Sequence, residues 1–545
     1  MHRFNEDFRR KKPKRFFHPS DLYVRLGRTD GSFMKNIVNA AQMKAVDDYT
    51  IEKIGIPAIV LMERAALAVA AMVKKHGSKQ DKILAVCGTG NNGADGIAAA
   101  RILKLEGYPV DILLAGDESK SSELARQQLE VARNLGISIY NNILIAEYTI
   151  IIDAIFGIGL SRNVSGVYKE IIEDINAGKH TVFAVDIPSG LSADNAKPVG
   201  TVIKADYTIT FGLNKIGLLL YPGCEYAGLV TVADIGFPQK AVDAVDSQYY
   251  IYDTSDLGKL PERKNYSNKG TYGKVLIIAG SVNISGACYF SAKAAYRTGA
   301  GLVKVMTAVE NRTIIQSQLP EALMYTYDKC SLEDPETEKI IKEIEWATVI
   351  VIGPGIGVNE ISGRLLELVL KYAKVPVIID ADGINLLALR AGKTGNEIGT
   401  EYNRIEKIAS MLPEQTILTP HPKELSVLLD TSIDSITGDL SGTADYCTHN
   451  NKIIYVLKDA RTIVAHEEKR YINTSGNNGM ATGGTGDVLT GIIAALIAQG
   501  LSTPEAATLG VYIHGLAGDK ACEVKGSYGL IASDVIDALP QVLKV

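Results

Sequence analysis

The chain has 545 residues, 46% apolar and 22% charged, a length that fits two to four domains of roughly 150 residues and an apolar share that excludes wholesale disorder. A formal net charge of −5 excludes the basic surplus of a nucleic-acid binder, and no apolar run approaches the ~18 residues of a membrane span. The six cysteines (Cys87, Cys224, Cys288, Cys330, Cys447, Cys522) contain no Cys-x-x-Cys pair, which excludes a zinc or disulfide framework and suits a cytoplasmic protein.

Residues 1–34 read as a tail. Arg9–Arg15 is a basic run flanked by Phe8, Phe16 and Phe17, without the apolar core of a secretory signal, and it is assigned no function. Met34 stands just before the first segment that reads as folded, so a start there fits. From Asn36 to His76 the apolar spacing predicts helix, most clearly over Leu61–Val73. Lys82–Cys87 then reads as a strand, Gly88–Gly96 as a glycine turn and Ile97–Glu106 as a helix, the first crossover of a Rossmann-like sheet. The spacing does not meet the usual dinucleotide fingerprint, which needs an acid on the next strand. Asn91, Asn92 and Asp95 instead crowd the turn itself.

Two later strands end on the same plan. Tyr148–Asp153 runs into the loop 154–163, and Thr181–Asp186 runs into Ile187-Pro-Ser-Gly190. In open α/β sheets ligands bind outside the carboxyl ends of the strands, so Asn92, Asp153, Asp186 and Ser189 are expected around one mouth. Each Asp singly would read as a loop cap; matching positions favour a site. All are hard oxygen donors without His or Cys, so a metal there would be alkali or alkaline-earth. Lys215, near the end of Thr208–Gly217, reads as an exposed surface lysine more readily than as an anion contact.

Residues 238–268 are polar and irregular and read as an interdomain link. A second α/β series begins at Gly273–Ser281, with strand ends at 349–357, 377–382, 417–424 and 453–462. It leads to Gly476–Asp487 and the apolar helical run Val488–Gln499. Gly483, Gly484 and Gly486 let bare N–H groups approach a ligand, and the helix behind them turns its positive end toward the same loop. Phosphate is the natural guest. Asp487 there is either a helix cap or an acid acting beside the phosphate, and the glycine-rich setting favours the acid.

Six stretches in this order resemble one family: Gly90–Gly96, Asp153–Gly157, Val185–Gly190, Gly353–Gly357, Thr419–Pro422 and Gly483–Asp487. The chain from about Asn36 onward is similar to the bifunctional NAD(P)H-hydrate repair enzymes. The resemblance implies a Rossmann-like three-layer α/β/α sandwich over 35–245, acting as NAD(P)H-hydrate epimerase. It implies a ribokinase-like α/β domain over 246–545, acting as an ADP- or ATP-dependent NAD(P)H-hydrate dehydratase. In the first domain the hydrate would be held by Asn91, Asn92, Gly93, Ala94 and Asp95, by the loop Gly157, Ile158, Gly159, Leu160, Ser161, Arg162 and Asn163, and by Asp186. Asn92, Asp153 and Ser189 would hold potassium. In the second, Ala287, Gly357, His421 and Asp487 would contact the hydrate. Lys458, Asp459, Ala460, Arg461, Thr462 and Gly486 would hold ADP or ATP, with Mg2+. Asp186 would move the proton of epimerisation, and Asp487 would activate the substrate hydroxyl toward phosphoryl transfer. A homo-oligomer is expected. Two departures stand out: Ala94 replaces a usual glycine, which restricts φ, and Lys423 stands where glycine commonly follows His-Pro.

The alternative is a small-molecule kinase for a vitamin precursor on the same ribokinase-like fold, its N-terminal half a non-catalytic binding module. The Gly-x-Gly-Asp loop would serve it equally well; the oxygen-rich strand ends of the first half argue against a mere binding module.

Overall fold

A computed structural model describes residues 35–328, 334–392 and 403–544, so the basic tail and Cys330 lie outside the described residues. The chain builds two parallel sheets wrapped by helices. The first has seven strands, in the spatial order Ile139–Tyr140, Val110–Leu114, Ile83–Cys87, Ile150–Ala154, Thr181–Val185, Tyr207–Phe211, Leu229–Ala233, all paired parallel. Its central strands are buried along their whole length, as unbroken Ile/Val/Ala runs require of a sheet covered on both faces. Strand order reverses between Ile83–Cys87 and Ile150–Ala154. The crevice of a doubly wound fold opens at that reversal.

Two sequence expectations change here. Asn36–Val38 is a strand, not helix, and a π-helix, Tyr49–Ile54, separates helices Ala40–Asp48 and Ala58–His76. The helix after the first strand begins at Asn91 rather than Ile97. Its glycines are there for proximity. A Cβ on Gly93 would sit 1.8 Å from the Gly88 carbonyl oxygen, and one on Gly96 would sit 2.4 Å from the Ala154 Cβ. Ala94, buried in this helix, has no positive φ to adopt, so the departure from glycine costs nothing there.

The second sheet runs Leu323–Tyr327, Leu302–Ala308, Lys274–Ile278, Val349–Ile352, Val377–Ile379, Ile417–Leu418 and Ile454–Leu457, all parallel, then continues antiparallel through Ile463–His466 and Lys469–Ile472. Helix Thr485–Ala498 is buried from Val488 to Ile497 and packs against helix Gly286–Arg297. A Cβ on Gly491 would meet the Ser291 carbonyl oxygen at 2.2 Å, so glycine sets how closely these helices approach.

The sheet does not stop at the second domain. Tyr249–Tyr250, within the stretch read as an irregular link, pairs parallel with Arg470–Tyr471 and antiparallel with Asn36–Ile37. Asn36–Val38 in turn pairs parallel with Asn214–Lys215, giving twelve strands in one hydrogen-bonded ladder. Ile37, Ile216, Leu219 and Leu220 share an apolar cluster with Ile251 and Ile472. No described helix is long and apolar enough to cross a membrane.

Candidate active sites

The first mouth lies at the sheet reversal. Asp153 ends the strand Ile150–Ala154 with no solvent exposure. The Ser189 hydroxyl donates to its Oδ1 at 2.6 Å and the Ser189 N–H to its Oδ2 at 2.8 Å. Among the described residues no lysine or arginine pairs with it. Burial pushes the Asp153 carboxyl up to about 6, against the hydrogen bonds from Ser189 and Ile155. Asn92, on the first turn of helix Asn91–Leu105, keeps a buried side-chain nitrogen with no partner, and a Cβ on Gly157 would lie 3.2 Å from that side chain. A buried carboxylate satisfied only by neutral donors leaves its negative charge unmatched, which suits a weakly hydrated monovalent cation held by oxygen atoms, whereas the unpaired Asn92 nitrogen is a donor and calls for a hydrogen-bond acceptor. The start of helix Asn91–Leu105 carries no side-chain cap, leaving its N–H groups for an anion. Ile158 and Leu160 are half-buried; Gly159, Ser161, Arg162 and Asn163 form the exposed part of the loop.

Asp186 stands across from this at φ 66, a left-handed conformation that a non-glycine residue adopts at a cost. Its Oδ1 accepts from Lys215 Nζ at 2.6 Å, Thr210 Oγ1 at 3.0 Å and the Phe211 N–H at 3.3 Å. Lys215 is fully buried; the surface reading of this lysine is therefore wrong. Its partner lies far away in sequence, and topology alone brings them together. Asp47 and Asp95 both feel the charge of Asp186. Burial and then Asp186 raise Asp47 to about 6, with Lys215 opposing. Burial, Asp186 and Asp47 raise Asp95 well above the carboxylate range.

The second mouth lies at the carboxyl ends of four adjacent strands: Val349–Ile352, Val377–Ile379, Ile417–Leu418 and Ile454–Leu457. They deliver the Gly353–Gly357 loop, Asp380, Thr419 and Lys458. Asp380 is 1% exposed; its Oδ1 accepts from Thr419 Oγ1 and from Lys458 Nζ, each at 2.7 Å. Burial works against the Lys458 ammonium, but Asp380 and Glu424 outweigh it and hold its pKa above the usual lysine value. A Cβ on Gly486 would lie 3.4 Å from Lys458 Nζ, so the glycine loop passes directly over this pair. Gly357, at φ 76, donates its N–H to Asp382 Oδ2 at 2.9 Å. Ala287 borders the same loop, 2.9 Å from where a Cβ on Gly355 would stand.

Asp487 is the third residue of helix Thr485–Ala498, capped instead by Gly484 at φ 92. Its carboxylate makes no hydrogen bond to any described residue, so it does no capping. Burial first, then Asp380, raises it to about 7, with Lys458 opposing and Glu424 and Asp382 adding to the rise. His421 does cap a helix. Its Nδ1 accepts from the Lys423 and Glu424 N–H groups and its Nε2 lies 3.1 Å from Glu424 Oε1, which assigns the proton to Nε2. Lys423 fits within that helix. Asp459 and Ala460 form the exposed tip of the hairpin between Ile454–Leu457 and Ile463–His466, with Thr462 half-buried at its base. Arg461 Nη1 donates to the Thr474 carbonyl at 3.1 Å, and its Nε is buried without a partner.

Sequence reasoning assigned no role to Asp380, Asp382, Glu424 or Asp519. The signal for the first two was present: an apolar strand ending in an acid, the pattern that drew attention to Asp153 and Asp186. Asp519 carried no such signal. It holds the Gly476 N–H and the Asn477 amide, both at 2.9 Å, from a helix more than forty residues downstream.

Family models match at two places, one described as NAD(P)H-hydrate dehydratase over residues 275–541 and one as YjeF-related protein N-terminus over 58–217. The chain is 34% identical to the bifunctional NAD(P)H-hydrate repair enzyme Nnr of Thermofilum pendens, covering 93% of this chain and 96% of that one. It is 35% identical to the Nnr of Moorella thermoacetica, with the same coverage. The Escherichia coli Nnr is 33% identical over 94% of this chain and 96% of its own. Among solved structures, an ADP/ATP-dependent NAD(P)H-hydrate dehydratase of Bacillus subtilis, co-crystallised with ATP/Mg2+, is 27% identical, covering 54% of this chain and 97% of that one at a TM-score of 0.45.

Proposed function

Because the chain belongs to the family of bifunctional NAD(P)H-hydrate repair enzymes, we infer how its two mouths divide the work of that family. The enzyme interconverts the R and S hydrates of NAD(P)H and dehydrates the S form to NAD(P)H with ADP or ATP. We assign epimerisation to the 35–245 unit and dehydration to the 246–545 unit.

In the first mouth, Asn91 through Asp95 and the loop from Gly157 to Asn163 bind the hydrate, with nucleotide phosphate against the open helix start. Epimerisation breaks the C6–OH bond, with the ring nitrogen lone pair assisting, and returns water to the opposite face. An acid must protonate the departing hydroxyl and a base must take the proton of the entering water. Asp186 has one oxygen occupied by three donors, so the other is the candidate for that exchange. Asn92, Asp153 and Ser189 fit a potassium ion, which would neutralise Asp153 and help orient the substrate.

In the second mouth the terminal phosphoryl group of the nucleotide passes to the C6 hydroxyl oxygen while Asp487 takes the hydroxyl proton. Phosphate then leaves with the C6–O bond and C5 gives up a proton, restoring the reduced nicotinamide. The N–H groups of Gly484, Thr485 and Gly486 face the charge that builds on phosphorus. Lys458 to Thr462 hold the nucleotide, ADP or ATP. Magnesium would be carried in with the nucleotide phosphates, whose negative charge it would offset.

The observation that carries this reading is the Asp487 carboxylate, unused by its own helix and poised beside bare loop amides and Lys458. Its test is Asp487→Asn, given mixed hydrate epimers with ADP or ATP. Dehydratase turnover, followed as reduced-cofactor absorbance, should fall by about 10²–10⁴, with epimerase intact. Near-normal dehydration would refute the role. Stable phosphorylated alcohol in place of released phosphate would point to the kinase alternative.

A further inference from the structure

We propose that Lys215 is the positioning residue of the epimerase site: it sets a positive charge in direct contact with Asp186 and turns a single carboxylate oxygen toward the substrate. The inference rests on Asp186 acting as reading of the first mouth requires. Lys215 Nζ has three partners: Asp186 Oδ1 at 2.6 Å, Thr210 Oγ1 at 2.7 Å and the Phe211 carbonyl at 3.1 Å. Its three protons are thereby matched, and the side chain is out of water altogether. Asp186 Oδ1, receiving from Lys215, Thr210 and Phe211, is saturated. Oδ2 has no partner among the described residues. A carboxylate so held has one oxygen fixed and one free, the geometry a proton acceptor needs.

The charge matters as much as the orientation. Asp47, from helix Ala40–Asp48, and Asp95, from helix Asn91–Leu105, face Asp186 from two other elements. Three carboxylates this close would otherwise share protons, as like charges disfavour ionisation together. Lys215 and Lys44 are the cations that act on Asp47, and Lys215 pairs directly with Asp186. The pair therefore gives Asp186 a countercharge in direct contact, at 2.6 Å. The left-handed backbone at Asp186 is consistent with this: the strain puts the carboxylate where the lysine can reach it.

Lys215 reaches this position from the ladder that joins the domains. Its strand, Asn214–Lys215, is held by Ile37–Val38, and Lys215 N–H donates to Asn214 Oδ1 at 2.8 Å. A loop lysine could swing away; this one is anchored by its backbone.

The test compares epimerase pH profiles of the full chain carrying Lys215→Met, Lys215→Gln or Thr210→Val, with Asp186→Asn alongside. Removing an adjacent positive charge raises a carboxylate pKa by roughly one to three units. In Lys215→Met and Lys215→Gln the acid limb of kcat/KM should therefore move up by at least one pH unit, with turnover at neutral pH falling at least tenfold. Thr210→Val removes a hydrogen bond but no charge, and its limb should stay in place while turnover drops a few-fold. Dehydratase activity in the same preparations reports folding, and Thr210→Val remains informative if both lysine variants fail to fold: a limb displaced as far as that expected for charge removal would overturn the electrostatic role. Unshifted limbs in folded lysine variants would also overturn it. Full epimerase activity in Asp186→Asn would instead sink the underlying assignment of Asp186, a distinguishable result.

Discussion

Asp487 shows how far one residue can be read and where reading stops. The choice between helix cap and chemical acid was visible in the sequence, because glycine-rich loop and apolar helix are both local. The structure removes the capping reading, because Gly484 takes that position, and it leaves the acid beside Asp380, Asp382, Glu424 and Lys458. Its pKa of about 7 has two consequences. Acting as a base, Asp487 must be ionised, so dehydratase kcat/KM should rise with pH and level off above an apparent pKa near 7, a limb that Asp487→Asn abolishes. The stability sign runs opposite. A carboxyl whose folded pKa is raised favours the folded state fully at low pH, and that contribution is lost as pH climbs from the ordinary carboxylate value through about 7. Asp487→Asn should therefore gain on the parent protein in unfolding free energy between pH 4 and pH 8, by an amount on the order of 2 kcal/mol after allowing for partial exposure, read from denaturant titrations. No gain over that interval would mean the carboxyl is not strained by its surroundings. Lys215 marks the opposite case. Flanked by Asn214 and Ile216, it has no charged neighbour in sequence to hint at a buried partner, and its role emerged only when strand order placed it against Asp186.

Elements were more legible than residues. The apolar strand runs, the glycine breaks after them and the long apolar helix behind Asp487 follow from periodicity and composition, and the structure has them. The misreadings came from glycine and from a short segment. Gly93 and Gly96 looked like turn residues, yet they lie inside a helix, and they are glycine because a side chain would strike the Gly88 carbonyl and Ala154 respectively. Asn36–Val38 is too brief for a period to declare itself, and its strand character comes from partners hundreds of residues away. At this scale Asp519 is the informative position. Helix Thr503–Gly529 clamps the start of the glycine loop through it, while Gly515 and Gly518 of the same helix press against Ser475 and Met480. Asp519→Ala loses two charge-assisted hydrogen bonds, worth roughly 1.5–3 kcal/mol each. Nucleotide Kd and dehydratase kcat should both worsen, by tenfold or more, while the epimerase remains as it was. An unchanged nucleotide titration would show that the loop keeps its shape without the clamp.

Across the whole molecule, two catalytic units are joined by more than a tether. Sequence showed two α/β series and a polar interval between them; it could not show that the interval supplies the strand linking the two units in a shared ladder, since strands of two or three residues leave no pattern. The pairing predicts how truncations behave. A fragment ending at 245 deprives Asn36 and Ile37 of their antiparallel partner and uncovers Ile37, Ile216 and Leu219. It should unfold at lower denaturant than one extended through 260, and both below the intact chain, with epimerase loss as the readout. By contrast, the interdomain Lys197–Asp439 pair is half in solvent at 3.2 Å, so Lys197→Met should change the midpoint by less than ~1 kcal/mol.

Tyr249–Tyr250 is hydrogen-bonded on one side to residues made early and on the other to Arg470–Tyr471. A ribosome releases those partners in sequence, so after the first unit has been synthesised its outermost edge must wait for some two hundred further residues before it can be sealed. During that wait the cell holds an unfinished, sticky border, and the last act of assembly for the unit made first belongs to a hairpin made near the end.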